Sequence, residues 1–164
     1  MDGSAEADPF FVAGQVVFSD FLLYNGEKRK EHMTMEYRIL GKTGLKISRM
    51  GFGGIPIQRI DAEGTKALMH KLLENGVNYI DTARGYTVSE EYLGAGLEGI
   101  REHFVLATKS MSRTAEAMAK DIDISLKNLR TDYIDLYQIH NAPPADLEKV
   151  CAPGGALEAL TAAK

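Results

Sequence analysis

From residue 49 onward, short apolar runs give way to longer stretches whose apolar positions recur three or four residues apart, and the cycle repeats. The short runs predict strands at Arg49–Ile55, closed by Pro56, and at Val77–Asp81, Phe104–Lys109 and Tyr133–His140. The first longer stretch predicts a helix from an Asp61 N-cap to about Asn75, with Leu68, Met69, Leu72 and Leu73 on one face and Gly76 as its stop. A second helix is expected from Ser89, as N-cap, to about Leu97. A third starts near Ser112 or Thr114 and carries Met118, Ile122, Leu126 and Leu129 at helical spacing. Pro143-Pro144 breaks the chain before a short helical turn at Asp146–Val150, and Pro153-Gly154-Gly155 breaks it again before a last helix from Ala156 to Lys164. Ahead of these, Tyr37–Leu40 and Leu45–Ser48 flank a turn at Gly41–Gly44 and predict a hairpin.

Strand alternating with helix, at about thirty residues per unit, means parallel strands joined by right-handed crossovers. A closed barrel of this kind needs eight such units and about 250 residues, whereas this chain has 164. The expected fold is therefore α/β, of the (β/α)8 TIM barrel type, cut to an N-terminal hairpin plus about four βα units over residues 35–164. Such a half-barrel exposes two sheet edges and an apolar inner face. Little or no activity is expected of it alone, and self-association through the open edges would be one way to cover them.

Residues 1–34 do not share this pattern. Pro9–Tyr24 is rich in Phe, Val and Leu but is interrupted by Gln15, Ser19 and Asp20, and the opening residues are acidic, the wrong charge for a signal peptide. A disordered extension is one reading. The other is a mis-called start with Met35 as the initiator, since Lys30-Glu31 can be encoded by a purine-rich ribosome-binding sequence just upstream of it.

Composition removes several function classes. An apolar fraction of 45% and a charged fraction of 26% are ordinary for a globular protein, and a net charge of −4 leaves no basic footprint for nucleic acid. No apolar run is long enough to cross a membrane. Cys151 is the single cysteine, so no internal disulfide or cysteine-rich metal cluster is possible, in keeping with a cytoplasmic protein. His32, His70 and His103 have no partners at ligand spacing and read as surface residues, so no metal site is expected. Glu90 and Glu91 read as favourable charges at a helix start.

The chemistry lies at the strand ends. Val77–Asp81 ends in a carboxylate, Phe104–Lys109 in a cation and Tyr133–His140 in an imidazole, and Tyr86 follows in the loop after Asp81. Side chains alternate along a strand, so Lys109 shares a face with Ala107 and Val105, His140 with Gln138, Leu136 and Ile134, and Asp81 with Tyr79 and Val77. Asp81, Lys109 and His140 can then point into one barrel mouth, where such folds place their active sites. A buried lysine beside a carboxylate keeps its charge, and a phenol next to that cation ionises more easily than usual. Tyr86 thus becomes a usable general acid, with His140 placed to hydrogen-bond a substrate carbonyl. Two phosphate-binding patterns fail: Gly41-Lys42-Thr43 lacks the P-loop glycine, since Glu36 stands there, and the glycines of Met50-Gly-Phe-Gly-Gly54 open no helix, as a Rossmann fingerprint would.

These segments carry a resemblance. Residues 38–48 (Arg-Ile-Leu-Gly-Lys-Thr-Gly-Leu-Lys-Ile-Ser), 50–53 (Met-Gly-Phe-Gly), 81–86 (Asp-Thr-Ala-Arg-Gly-Tyr), 107–109 (Ala-Thr-Lys) and 135–141 (Asp-Leu-Tyr-Gln-Ile-His-Asn) together resemble the N-terminal half of an aldo-keto reductase. The resemblance implies a (β/α)8 barrel floored by the hairpin and an NADPH-dependent reduction of an aldehyde or ketone, a small-molecule carbonyl substrate. It implies Tyr86 as proton donor, Lys109 and Asp81 as its tuning pair, His140 as the substrate-orienting group, and Gly53 and Gly54 beside the nicotinamide. Gly-Gly-Ile-Pro at 53–56 looks most like members with a C-terminal iron–sulfur segment, although nothing in this chain could bind such a cluster. The rest of the family's cofactor contacts have no counterpart here. A non-enzymatic binding or regulatory subunit on the same fold is the alternative expectation.

Overall fold

The computed structural model describes residues 35–164. The expectations for residues 1–34, His32 among them, lie outside the described residues. β1 (Tyr37–Ile39) and β2 (Lys46–Ser48) form an antiparallel hairpin. β3 (Gly51–Gly53), β4 (Tyr79–Asp81), β5 (Val105–Ser110) and β6 (Leu136–Ile139) make one parallel sheet in sequence order. Crossovers run through α1 (Ala62–Glu74), α2 (Ser89–Gly96) and α3 (Ala115–Leu129), and α4 (Leu147–Cys151) and α5 (Ala156–Ala162) follow β6. These are the hairpin and four strands expected of the first half of a (β/α)8 barrel.

The hairpin packs under the N-terminal ends of the strands. Asn78, just before β4, accepts from the Ser48 N–H at 2.6 Å and donates to the Lys46 carbonyl at 2.9 Å, and the Tyr37 hydroxyl donates to the Gly76 carbonyl at 2.9 Å. The mouth at the other end is thereby left open.

Helix starts follow local chemistry. Asp61 and Thr114 are N-caps whose side chains accept from the N–H groups of Gly64 and Ala117. Met69, Ile80, Leu93, Leu97, Phe104, Leu106 and Leu129 are buried between the outer face of the sheet and the helices. A second cluster joins Met118 to Ala156 and Ala159, with Tyr137 and Ile139 packed against it. Burying a large apolar side chain stabilises by about 1.5–3 kcal/mol, so the two clusters lock the helices onto one face only. Helices α2 and α3 approach so closely that a Cβ at Gly94 would lie 2.2 Å from the Asn128 carbonyl oxygen.

Three stretches differ from expectation. The first core strand is short, because Gly54 turns into a helical conformation and a single 3-10 turn, Ile55–Arg59, opens directly after the glycines, with Pro56 in its first turn. The last strand starts at Leu136 rather than Tyr133, since the Tyr133 carbonyl accepts from Arg101 and the Asp135 carboxylate accepts from the Leu106 N–H and Arg101. Ser89 is the first residue of α2 rather than its cap. Val88 takes the cap position, and the Ser89 hydroxyl is buried against Thr82 and the Gly54 carbonyl. Among the described residues no helix is long and apolar enough to cross a membrane.

Candidate active site

Strand alternation sets which groups meet. The register pairs Gly53 with Asp81, Asp81 with Ala107 and Lys109 with Gln138. These positions share the inner face, while Ile80, Leu106, Thr108 and Ser110 are buried on the outer one. Lys109 stands two residues above the position opposite Asp81, about 6–7 Å along the strand. Its long side chain spans that offset: Nζ lies 2.5 Å from Asp81 Oδ2 and donates to the Thr82 carbonyl at 2.9 Å. Gln138 Nε2 holds the other carboxylate oxygen, Oδ1, at 3.1 Å.

The loop after β4 is stitched over β5. The N–H groups of Thr82 and Arg84 donate to the carbonyls of Ala107 and Lys109 at 2.8 and 3.0 Å, which carries the strand ladder beyond Asp81. The chain then turns, with Tyr86 N–H on the Ala83 carbonyl at 3.0 Å and Thr87 at φ +44°, and presents the Tyr86 ring to the mouth. Lys109 Nζ sits 5.0 Å from the centroid of that ring, within cation–π range. The His140 ring meets Tyr86 edge-on, with centroids 5.8 Å apart and planes at 86°.

His140 is placed from its own strand end by the bond from its N–H to the Ser110 carbonyl, 2.7 Å. Arg113 then clamps the following loop: Nη2 donates to the carbonyls of His140 at 2.9 Å and Asn141 at 2.7 Å, and Nε pairs with Asp146 at 2.8 Å. Burial first, then the positive charge of Lys109, push the His140 imidazole below its ordinary value. Asp81 works the other way and Arg113 adds to the depression. Its Nδ1 is buried and has no hydrogen-bond partner among the described residues. Tyr79, lower on the same face, is pushed up to about 12 by burial and by the Asp81 charge.

All four strand-end and loop groups expected from sequence thus converge. Asp81, Lys109 and His140 line a cavity of about 320 Å³ with Tyr79, Gln138, Ile139 and Asn141, and Tyr86 closes over its cation. A larger and more open concavity of about 640 Å³ lies among Arg101, Leu126, Lys127 and Tyr133, at the opposite ends of the strands, and holds none of these groups. The two glycines differ. Gly53 is exposed, and among the described residues nothing lies within 4 Å of where a Cβ would stand. Gly54 is buried, and a Cβ there would lie 2.8 Å from Ser89 Oγ and 2.9 Å from Thr82 Oγ1, so helix packing accounts for that glycine.

Gln138, Arg113, Arg84 and Glu90 hold this arrangement and were not singled out as site residues by sequence. Gln138 alone had a signal, since alternation puts it on the His140 face. Glu90, read there as a helix-start charge, is 1% exposed and accepts hydrogen bonds from four side chains. His70 and His103 are exposed, and among the described residues no group of three or more His, Cys, Asp or Glu could hold a metal ion.

Comparison with known proteins agrees with this geometry. The family model described as "Aldo/keto reductase family" matches residues 49–163. The chain is 33% identical over 131 residues to L-galactose dehydrogenase of Arabidopsis thaliana, covering 71% of this chain and 41% of that protein. A solved Pseudomonas aeruginosa protein described as an aldo-keto reductase superposes with a TM-score of 0.72 at 30% identity, covering 82% of this chain and 58% of its own. A variant of Gox0644 in complex with NADPH superposes with a TM-score of 0.60 at 25% identity, over 78% of this chain and 44% of that one. The chain spans about two fifths of the length of the curated relatives it matches, 41% and 39% for two of them. Parallel βα units, a lysine–carboxylate pair at the mouth and a family match over residues 49–163 have one common explanation: the chain belongs to the aldo/keto reductase family.

Proposed function

We propose that this chain carries the proton-delivery side of an NADPH-dependent reductase that converts an aldehyde or ketone to an alcohol. The observation that carries the proposal is the position of Lys109 Nζ, 2.5 Å from Asp81 Oδ2 on one side and 5.0 Å from the Tyr86 ring centroid on the other. A carboxylate at that distance fixes the ammonium in place. The cation then stabilises charge on the phenol oxygen as the proton leaves it for the substrate. His140 is neutral at neutral pH, because burial and its cationic neighbours oppose protonation. A buried N–H without a partner is costly, which favours the hydrogen on Nε2 over the buried Nδ1. That hydrogen is the one available to bind a carbonyl oxygen.

The cofactor fits only at its reacting end. Gly53 leaves open space at the end of β3, beside Asp81, and its backbone would hold the nicotinamide edge there. When bound there, the nicotinamide would supply the hydride, and Tyr86 would supply the proton that completes the alcohol. The Gox0644 complex with NADPH supports this choice of cofactor.

Residues that grip the remainder of the cofactor are expected on further strands, so the chain alone should turn over little or no substrate. The test is to join residues 35–164 to the later strands of the Pseudomonas aeruginosa relative and follow NADPH oxidation with a reactive aldehyde. Turnover by the joined barrel and none by the 164-residue chain is the expected result. A folded hybrid that binds NADPH and reduces no carbonyl would overturn the proposal.

A further inference from the structure

Behind the mouth, on the outer face of the sheet, lies a second polar cluster that the proposed reaction does not use. Its centre is the carboxylate of Glu90, 1% exposed in the first turn of α2. Oε1 accepts from Thr108 Oγ1 and Ser125 Oγ, both at 2.8 Å. Oε2 accepts from Arg84 Nη1 at 2.8 Å and from Asn128 Nδ2 at 3.4 Å. A buried carboxylate is tolerated only when its lone pairs are filled in this way. Burial opposes the charge on Arg84, but Glu90 and then Asp121 outweigh it and hold the guanidinium above its ordinary value. Arg84 Nε, also buried, stands 3.7 Å from Asp121 Oδ1, and Asp121 in turn is bonded to the hydroxyls of Ser110 and Ser112.

The partners of Glu90 are informative. Thr108 immediately precedes Lys109, and Arg84 lies two residues before Tyr86, in the loop that carries the phenol. The Arg84 N–H donates to the Lys109 carbonyl at 3.0 Å, while its side chain passes to the outer face and ends on Glu90. One carboxylate therefore ties down both the strand that carries the cation and the loop that carries the phenol. Nearer β4 the loop is also held by the Thr82 N–H on the Ala107 carbonyl at 2.8 Å and by Thr82 Oγ1 against Ser89 Oγ at 2.8 Å, while beyond Tyr86 Thr87 Oγ1 reaches Gln58 at 2.9 Å in an exposed contact.

We propose that Glu90 is a positioning residue for the reaction, a buried clamp that sets the approach of Tyr86 to Lys109 through Arg84 and Thr108. The proposal rests on the reading of Tyr86 as proton donor. It goes beyond that reading by assigning the geometry of the pair to a residue on the far face of the sheet. A mouth whose reacting groups are displaced by about 1 Å can lose on the order of 100-fold in rate, so a clamp of this kind acts on kcat more than on substrate binding.

The test reads position and rate separately. 3-Fluorotyrosine placed at position 86 of the 164-residue chain reports its surroundings by 19F NMR without cofactor or substrate. Glu90→Gln, Arg84→Met and the shape-preserving Thr108→Val should each shift or broaden that resonance, and Glu91→Gln, at the exposed neighbouring position, should not. In the joined barrel, Thr108→Val and Glu90→Gln should lower kcat on the order of 10-fold or more, with the aldehyde KM held within about twofold. The same changes should add no further loss in the Tyr86→Phe background. An unmoved resonance in folded Thr108→Val and Arg84→Met would overturn the clamp, even if Glu90→Gln fails to fold. Losses that multiply with Tyr86→Phe would overturn it as well. Full turnover by Tyr86→Phe would instead overturn the proton-donor reading, and the resonance would still report on the clamp.

Discussion

The two faces of β5 carry two carboxylate–cation pairs with opposite surroundings. On the outer face Glu90 meets Arg84 at 2.8 Å, with side chains 1% and 24% exposed, and three further donors fill the carboxylate. On the inner face Asp81 meets Lys109 at 2.5 Å, with side chains 20% and 12% exposed, and the pair borders open volume. The Glu90 carboxylate is filled by groups from α3, β5 and the loop after β4. The inner pair has a phenol and an imidazole beside it. Ion pairing alone therefore does not mark a reactive site. A pair that borders free space beside a phenol and an imidazole does, and successive residues of one strand, Thr108 and Lys109, serve the two purposes because side chains alternate.

This contrast can be broken most forcefully at Glu90. Glu90→Ala strands the Arg84 charge in the interior and should cost about 3–5 kcal/mol of stability. Asp81→Ala, in the half-open mouth, should cost on the order of 1 kcal/mol. Urea unfolding of the two variants measures the difference, and equal losses would erase the distinction between the faces. A smaller effect is expected at Gly94, where α2 and α3 close over the outer cluster. Gly94→Ala forces a methyl group against the Asn128 carbonyl and should cost about 1–3 kcal/mol. A stability within error of the parent would mean that the helices do not pack as closely as described.

The least effect concerns pH. The folded His140 resists protonation, chiefly through burial and then through Lys109, while an imidazole in the unfolded chain takes up a proton near pH 6.5. Below that pH the unfolded state binds more protons, so the stability contributed by neutral His140 is present above about pH 6.5 and is lost as the pH falls toward the lowered folded value. His140→Gln should flatten this part of the curve. Unfolding midpoints of the two proteins at pH 7.5 and 5.5 supply the check, and identical slopes would remove the imidazole from the account.

The inner face was legible in the sequence because it depends on local rules. Period-two alternation placed Asp81, Lys109 and His140 on one side of their strands, and Asp61 and the α1 and α3 apolar spacings were read from neighbours within one turn. The outer face was not. Glu90 lies 18 residues from Thr108 and 35 from Ser125, and no short-range pattern tells a helix-start charge from a buried hub. Ser89 misled for a related reason: a serine before acidic residues is the usual sign of a cap, but its hydroxyl is claimed by Thr82 and Gly54, just past the ends of β4 and β3. The close approach of Ser89 and Thr82 to Gly54 is likewise invisible in the sequence, because it joins residues 28 and 35 positions apart. The length of the last strand depended on Arg101, which draws the Tyr133 carbonyl and Asp135 out of the ladder.

The most direct measurement of the central claim is single-turnover reduction of an aldehyde by the joined barrel, with and without Tyr86→Phe. Removing one hydroxyl from a half-buried ring should leave stability within about 0.5 kcal/mol. If the phenol delivers the proton, the reduction step should slow by about 100- to 10,000-fold while NADPH binding is unchanged. Reduction at the parental rate by Tyr86→Phe would contradict the claim.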